Sequence, residues 1–197
     1  MQVALALLQL VAAGRMIRTV QALTSVDPGF TDPEQIQLAR IFVAPAVIRE
    51  PERYTRLYRD VLERIAALPG VTAAGFGAGV PLEGRAMTSS ISVADRPDTA
   101  GEVPPTRTFM SISPGYLEAL GTRLIAGRDV TWSDIDLEGN VALVSKNLAR
   151  ELWGEPQAAI GKRIRVARNA TGPWLEIIGV TQDLHDTGLY QRPAALV

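Results

Sequence analysis

The sequence predicts a mixed α/β body of the α+β class behind an apolar helical lead, and three stretches carry that prediction. Tyr54, Leu57, Tyr58, Val61, Leu62, Ile65 and Leu68 recur at three- and four-residue steps, the pattern of a helix with one buried face. Short Val-, Ile- and Leu-rich runs flank that helix and return through the second half, bounded by Gly and Pro as strands are. The first fourteen residues, MQVALALLQLVAAG, hold no charge at all.

The elements follow in order. Fourteen helical residues cover roughly 21 Å at ~1.5 Å each, short of the ~30 Å hydrocarbon core of a bilayer. The apolar character continues past Arg15 and Arg18 to Leu23. The expectation is that residues 1–24 are the C-terminal part of a transmembrane helix whose start is missing. Two other readings compete. A secretory signal would use Val11-Ala12-Ala13 as its small-residue site, but no Lys or Arg precedes the apolar run. A soluble core helix also suits an apolar run of this length. Arg15 and Arg18 argue for a cytoplasmic end by the positive-inside rule.

Asp27-Pro28-Gly29 is a turn signal that closes the first helix. Gln35 to Ala44 alternates Ile36, Leu38, Arg40, Phe42 and Ala44 on one side and predicts a strand. Residues 45–51 connect it to the amphipathic helix, which exposes Arg56, Arg59, Asp60 and Glu63 and stops at Pro69-Gly70. Val71 to Phe76 predicts a second strand and completes a β-α-β unit. Gly84 to Pro105 is poor in large apolar residues apart from Ile91 and Val93, and predicts a short strand or two in a variable excursion. Thr106 to Ile112 predicts a strand. Ser113-Pro114-Gly115-Tyr116 then starts a short helix, capped by Ser113, that buries Leu117 and Leu120 and ends at Gly121.

Leu124 to Gly127 leads into a loop at Arg128-Asp129. Val141 to Val144 predicts a buried strand running into Ser145, the cap of a helix from Lys146 to Trp153 that buries Leu148, Leu152 and Trp153. Arg163 to Val166 and Trp174 to Thr181 predict a hairpin across Asn169 to Pro173. The terminal Ala194-Ala195-Leu196-Val197 reads as a cut end.

Bulk properties narrow the chemistry. A net charge of −1 gives no electrostatic case for nucleic acid. No cysteine is present, which excludes disulfides, thiolate metal sites and thiol catalysis, and fits an oxidising compartment. Gly75-Phe76-Gly77-Ala78-Gly79 lacks the glycine spacing and following helix of a dinucleotide fingerprint, and reads as a tight strand exit. Gly161-Lys162 has Pro156 and Arg163 where a phosphate loop needs Gly and Ser or Thr, so any ATPase lies outside this chain.

Asp134, Asp136, Glu138 and Gly139 open like a calcium loop, but Ser145 stands where its bidentate Glu belongs; the turn reads as acidic and solvated. His185, the single histidine, sits between Asp183 and Asp186, and Ser89, Ser90 and Ser113 are hydroxyls without a nucleophile-elbow context. Arg163, Arg165 and Arg168 form a solvated basic strand face. No catalytic, cofactor-binding or metal-ligating residue is expected.

The order of short tags is specific as a set. Val-Asp-Pro-Gly-Phe (26–30) follows the apolar helix, and Leu-Pro-Gly-Val (68–71) and Val-Pro-Leu (80–82) follow the amphipathic one. Ser-Pro-Gly-Tyr-Leu-Glu-Ala-Leu-Gly (113–121) leads to Ala-Gly-Arg-Asp (126–129). Val-Ala-Leu-Val-Ser (141–145), Leu-Ala-Arg-Glu-Leu-Trp (148–153), Ile-Gly-Lys-Arg-Ile (160–164) and Glu-Ile-Ile-Gly-Val (176–180) complete the set. Over nearly its whole length the chain resembles the MacB-like periplasmic core domain of ABC-transporter permeases of the FtsX/MacB type, especially the orphan permeases with two such halves in one chain.

That resemblance implies a β-α-β porter-like subdomain with a smaller, variable, β-rich subdomain at about 82–140. Residues 25–197 would form an extracytoplasmic core domain, incomplete at the C-terminus, on the periplasmic side of the inner membrane. It implies no active site here and a coupling of ATP-driven helix motion to export or other extracytoplasmic work. The implied partners are a cytoplasmic-side ABC ATPase, the lipid bilayer, and a second permease half or homodimer partner, with a periplasmic adaptor as a further candidate. The first helix would then emerge on the extracytoplasmic side, against the hint from Arg15 and Arg18, and residues 15–30 would carry the coupling. The competing class is a secreted periplasmic enzyme or binding protein released from a signal peptide.

Overall fold

The computed structural model describes residues 2–24, 28–43, 49–79, 82, 87–96, 106–137, 139–167 and 172–185. Helix α1 (Gln2–Thr24) contains no proline and only Gly14 as a weak helix former. Its apolar side chains find little protein to cover them: Leu10 is 70% and Met16 73% exposed, and Val11, Ile17 and Val20 are exposed too. No helix among the described residues is long and apolar enough to cross a membrane.

Helix α2 (Pro51–Ala66) starts with Pro in its first turn, where the missing N–H costs nothing, and carries Glu52 early and Arg64 late, matching the helix dipole. Its apolar face reaches inward through Leu62, which is buried, and through Tyr58, whose ring meets Phe76 edge-on at 4.2 Å.

The body is one six-stranded sheet built from β1 (Met87–Val93), β2 (Thr106–Phe109), β3 (Leu124–Gly127), β4 (Val141–Ser145), β5 (Arg163–Ala167) and β6 (Leu175–Thr181). Its order is β2-β1-β5-β6-β3, with β4 paired to β6. Only the β4–β6 pairing is parallel. The hydrophobic run Ile177, Ile178, Gly179, Val180 is buried throughout, as expected for a strand covered on both faces. Gly179 sits where a side chain cannot: a Cβ there would lie 2.3 Å from the Arg128 carbonyl oxygen.

Helices α3 (Tyr116–Leu120), α4 (Trp132–Asp136) and α5 (Lys146–Trp153) decorate the sheet, with 3₁₀ turns at Pro33–Gln35 and Pro156–Ala159. From α5, Leu148, Ala149 and Leu152 close a main core with Ile91, Val144, Ile164, Ile177 and Val180. A second cluster centres on Tyr116, Leu117 and Leu120 of α3, with Phe30, Ile36, Met110, Ile112 and Leu143 packed against it.

The sequence expectations need several corrections. Residues 36–43 form no ladder; Leu38 and Phe42 are 64% and 88% exposed, and only Ile36 joins a cluster. Alternation specifies a face, while a strand also needs a neighbouring edge to bond to. Residues 71–76 likewise lack a ladder, and pairing appears only as the Gly77–Ile112 bridge. The Thr106 to Ile112 strand stops at Phe109 before that bridge. Leu124–Gly127 does lead into the loop at 128–131, and is itself a strand antiparallel to β6. The short helix starts at Tyr116 with Gly115 at its cap; the Ser113 hydroxyl instead accepts from the Phe76 N–H at 2.8 Å. Ser145 holds the cap position of α5 but makes no side-chain bond to the helix N–H groups. The hairpin pairs Arg163 with Glu176 and Ile164 with Leu175. Its turn at Asn169–Thr171, Ala44, Asp27, Asp186 and all of 97–105 lie outside the described residues.

Candidate functional site

Where the chain leaves the first helix, the body takes hold of it. The Pro28 carbonyl accepts from the His185 N–H at 3.1 Å, and the Gly29 carbonyl accepts from the buried Thr122 hydroxyl at 3.1 Å. The Thr31 N–H donates to the Leu120 carbonyl at 3.1 Å, and the Phe30 ring packs on the α3 cluster. Three bonds over four residues fix this short segment to two parts of the chain about 90 and 155 positions away. Sequence dictates the close fit. Gly29 has φ +91°, and a Cβ there would stand 2.2 Å from the Asp183 carbonyl oxygen. Gly121, at φ +64°, faces Thr31 with room for a hydrogen only.

The strip 182–185, which extends β6, is the hub of this junction. Gln182 bonds Arg123 twice, its N–H to the Arg123 carbonyl and its side-chain oxygen from Arg123 Nε, both at 2.9 Å. The Asp183 carboxylate accepts from the Asn147 N–H at 2.7 Å, at the start of α5. His185 is buried, its carbonyl accepts from the Leu82 N–H, and its Nδ1 has no hydrogen-bond partner. The Pro28–Thr31 segment is thus bonded to the stretch of chain that runs straight on from β6.

A second contact joins α2 to α4. Arg59 Nη2 donates to both Asp136 carboxylate oxygens at 2.7 and 2.8 Å, and its guanidinium lies 4.5 Å from the centre of the Trp132 ring. Replacing Arg59 with Ala is expected to lower stability by about 1 kcal/mol, the scale of a partly exposed pair plus its stacking. Urea unfolding of the two forms measures it.

The residues singled out in the sequence are dispersed. In the glycine run 75–79, a Cβ on Gly75 would meet Tyr116 Cα at 2.4 Å and one on Gly77 the Tyr116 ring at 2.5 Å, so these glycines seat α3. Gly161 turns the chain into β5, and Lys162 pairs with Asp95 at 2.7 Å. Asp134 and Asp136 do not converge on a common point: Asp136 holds Arg59, while Asp134 pairs with Arg128 at 2.7 Å and closes a capping box with Thr131. Glu138 lies outside the described residues. Among the described residues no group of three or more His, Asp or Glu is placed to hold a metal ion. The Ser113 hydroxyl is occupied between Phe76 and Pro114, and Ser89 and Ser90 lie in β1. Arg165 stacks on Trp174, an aromatic partner that the strand pattern did not suggest; Arg168 lies outside the described residues.

Hydrogen bonds from Arg128 and then Thr131 hold the Asp134 carboxyl well below the usual carboxylate range. A depressed folded pKa stabilises the fold above the unfolded value and loses that contribution as pH falls through the folded one. Asp134→Asn is therefore expected to lower stability by a constant amount above about pH 5, a gap that closes in acid below about pH 4. Urea midpoints across that range read it.

Residues 13–197 match the family model described as the MacB-like periplasmic core domain. No curated protein matches the chain. Solved structures similar to it include the periplasmic region of MacB from Actinobacillus actinomycetemcomitans, at 13% identity and a TM-score of 0.45, covering 71% of this chain and 61% of that one. Another is the extracellular domain of the noncanonic ABC-type transporter YknZ from Gram-positive bacteria, at 18% identity and a TM-score of 0.45, covering 71% and 59%. The chain thus spans about 60% of the length of these two structures. The match along 185 of 197 residues is the stronger finding, and by it the chain belongs to the MacB-like periplasmic core domain family.

Proposed function

We propose that this domain is a non-catalytic extracytoplasmic module of an ABC-transporter permease, which receives the motion of α1 at Pro28–Thr31 and passes it to the sheet. The observation that carries the reading is the three-bond hold on that segment by Leu120, Thr122 and His185. The exposed apolar side chains of α1 support a bilayer as its surroundings. Family membership supports the inner membrane as the location, with this domain on its periplasmic side. It also supports an ABC ATPase on the cytoplasmic side as the source of motion, and a second permease half or homodimer partner beside it.

A short glycine insertion after Thr24 tests this. In the intact permease it is expected to abolish the export phenotype that deleting the gene removes, while the thermal midpoint of the domain changes by less than about 2 °C. Export retained with the flexible link in place would contradict the reading.

A further inference from the structure

One face of the sheet is closed by α5; among the described residues the α3 cluster covers the opposite face only in part. Between Val141, Leu143 and Ile178 on the sheet and Met110, Tyr116 and Ile135 across from them lies a hollow of about 330 Å³. The hollow is about half open to solvent, a recess in the body and not a sealed void. Apolar cavities stay dry and take up apolar molecules, and ~150 Å³ suffices for one benzene ring. This space is about twice that size.

Its chemistry is equally restrictive. Among the described residues Asp134 is the only carboxylate on its wall, and no Lys, Arg or His lines it. Both Asp134 oxygens are already taken, one by Arg128 Nη2 and the other by Arg128 Nη1 with the Thr131 N–H and hydroxyl, all at 2.6 to 2.8 Å. No group is left to compensate a ligand's charge, and burying an uncompensated charge costs far more than apolar burial returns.

We propose that this hollow is a binding site for an uncharged, two-ring apolar molecule, lodged between the free face of β4–β6 and the side chains of Met110, Tyr116 and Ile135. This goes beyond the coupling role and does not depend on it. The site adjoins the Pro28–Thr31 segment through Leu184, which lines it and lies against Gly29, and its occupancy stiffens the contact between α3, α4 and the sheet.

The test uses neutral N-phenylnaphthylamine and its anionic relative anilinonaphthalene sulfonate as fluorescent probes of the purified chain. Saturable binding of the neutral probe is expected, at least tenfold tighter than the anionic one. Val141→Trp and Ile135→Trp each fill the hollow from a different wall and are expected to weaken the neutral probe at least tenfold. Phe42→Ala, on the exposed 36–43 segment, is expected to leave binding unchanged. If one Trp variant does not fold, the other still reports, because their walls are independent. The proposal is overturned if the wild-type chain shows no saturable binding of the neutral probe. It is equally overturned if binding survives in a folded Trp variant or falls with Phe42→Ala.

Discussion

Gly29→Val is expected to destabilise the domain by about 2–5 kcal/mol, from ~1–2 kcal/mol for a branched residue in the left-handed region and a further ~1–3 for overpacking. Valine at φ +91° would drive a Cβ to 2.2 Å from the Asp183 carbonyl. The strip 182–185 cannot retreat without giving up its bonds to Pro28, Arg123 and Asn147. The cost therefore falls on the junction first. Amide hydrogen exchange is expected to show faster exchange at Thr31, Gln182 and His185 than at Ile177 or Val180 in the β6 core. Equal acceleration at all five would mean the junction is merely part of the global fold.

Leu148→Ala is expected to cost a similar ~2–5 kcal/mol by a different route. Leu148 has no exposed surface and lies at the centre of the main core, against the sheet. Truncation removes transfer energy and leaves a cavity that α5, held at its start by Asp183, cannot collapse to fill. Here the loss is global. Exchange should accelerate throughout β4, β5 and β6 together, and urea unfolding should move its midpoint without changing its slope. The two substitutions thus separate local loosening of the junction from loss of the body behind it.

The parts of this fold that were legible in the sequence are those whose side chains record a local geometry. α5 shows its buried face as three- and four-residue spacing, and β4 and β6 show theirs as apolar runs; the same spacing in α2 buries only Leu62 and leaves Leu57 and Leu68 exposed. Residues 36–43 carry an equally clear alternation and still make no ladder, since alternation names no partner edge. β3 was missed for the converse reason: Leu124–Gly127 is too short to show a period, and its strand character comes from β6 beside it.

The junction was half legible. Pro28-Gly29 announced a turn, but the groups that hold it, Thr122 and His185, are ordinary residues far along the chain. The glycines at 75 and 77 read as a tight strand exit, and the fold shows what their missing side chains make room for, the close seat of Tyr116. Spacing reveals a missing side chain; only the folded neighbour reveals what takes its place.

The chain has no cysteine of its own, so a pair of spin labels can be introduced cleanly. Met16→Cys on α1 and Gln157→Cys on the far 3₁₀ turn are both exposed positions. Their separation in the bilayer-embedded permease tests the hold at Pro28–Thr31 directly. A single narrow distance population is expected, one that shifts as a unit on ATP binding and broadens when glycines are inserted after Thr24. A broad distribution that neither ATP nor the insertion alters would contradict a domain driven through its first helix.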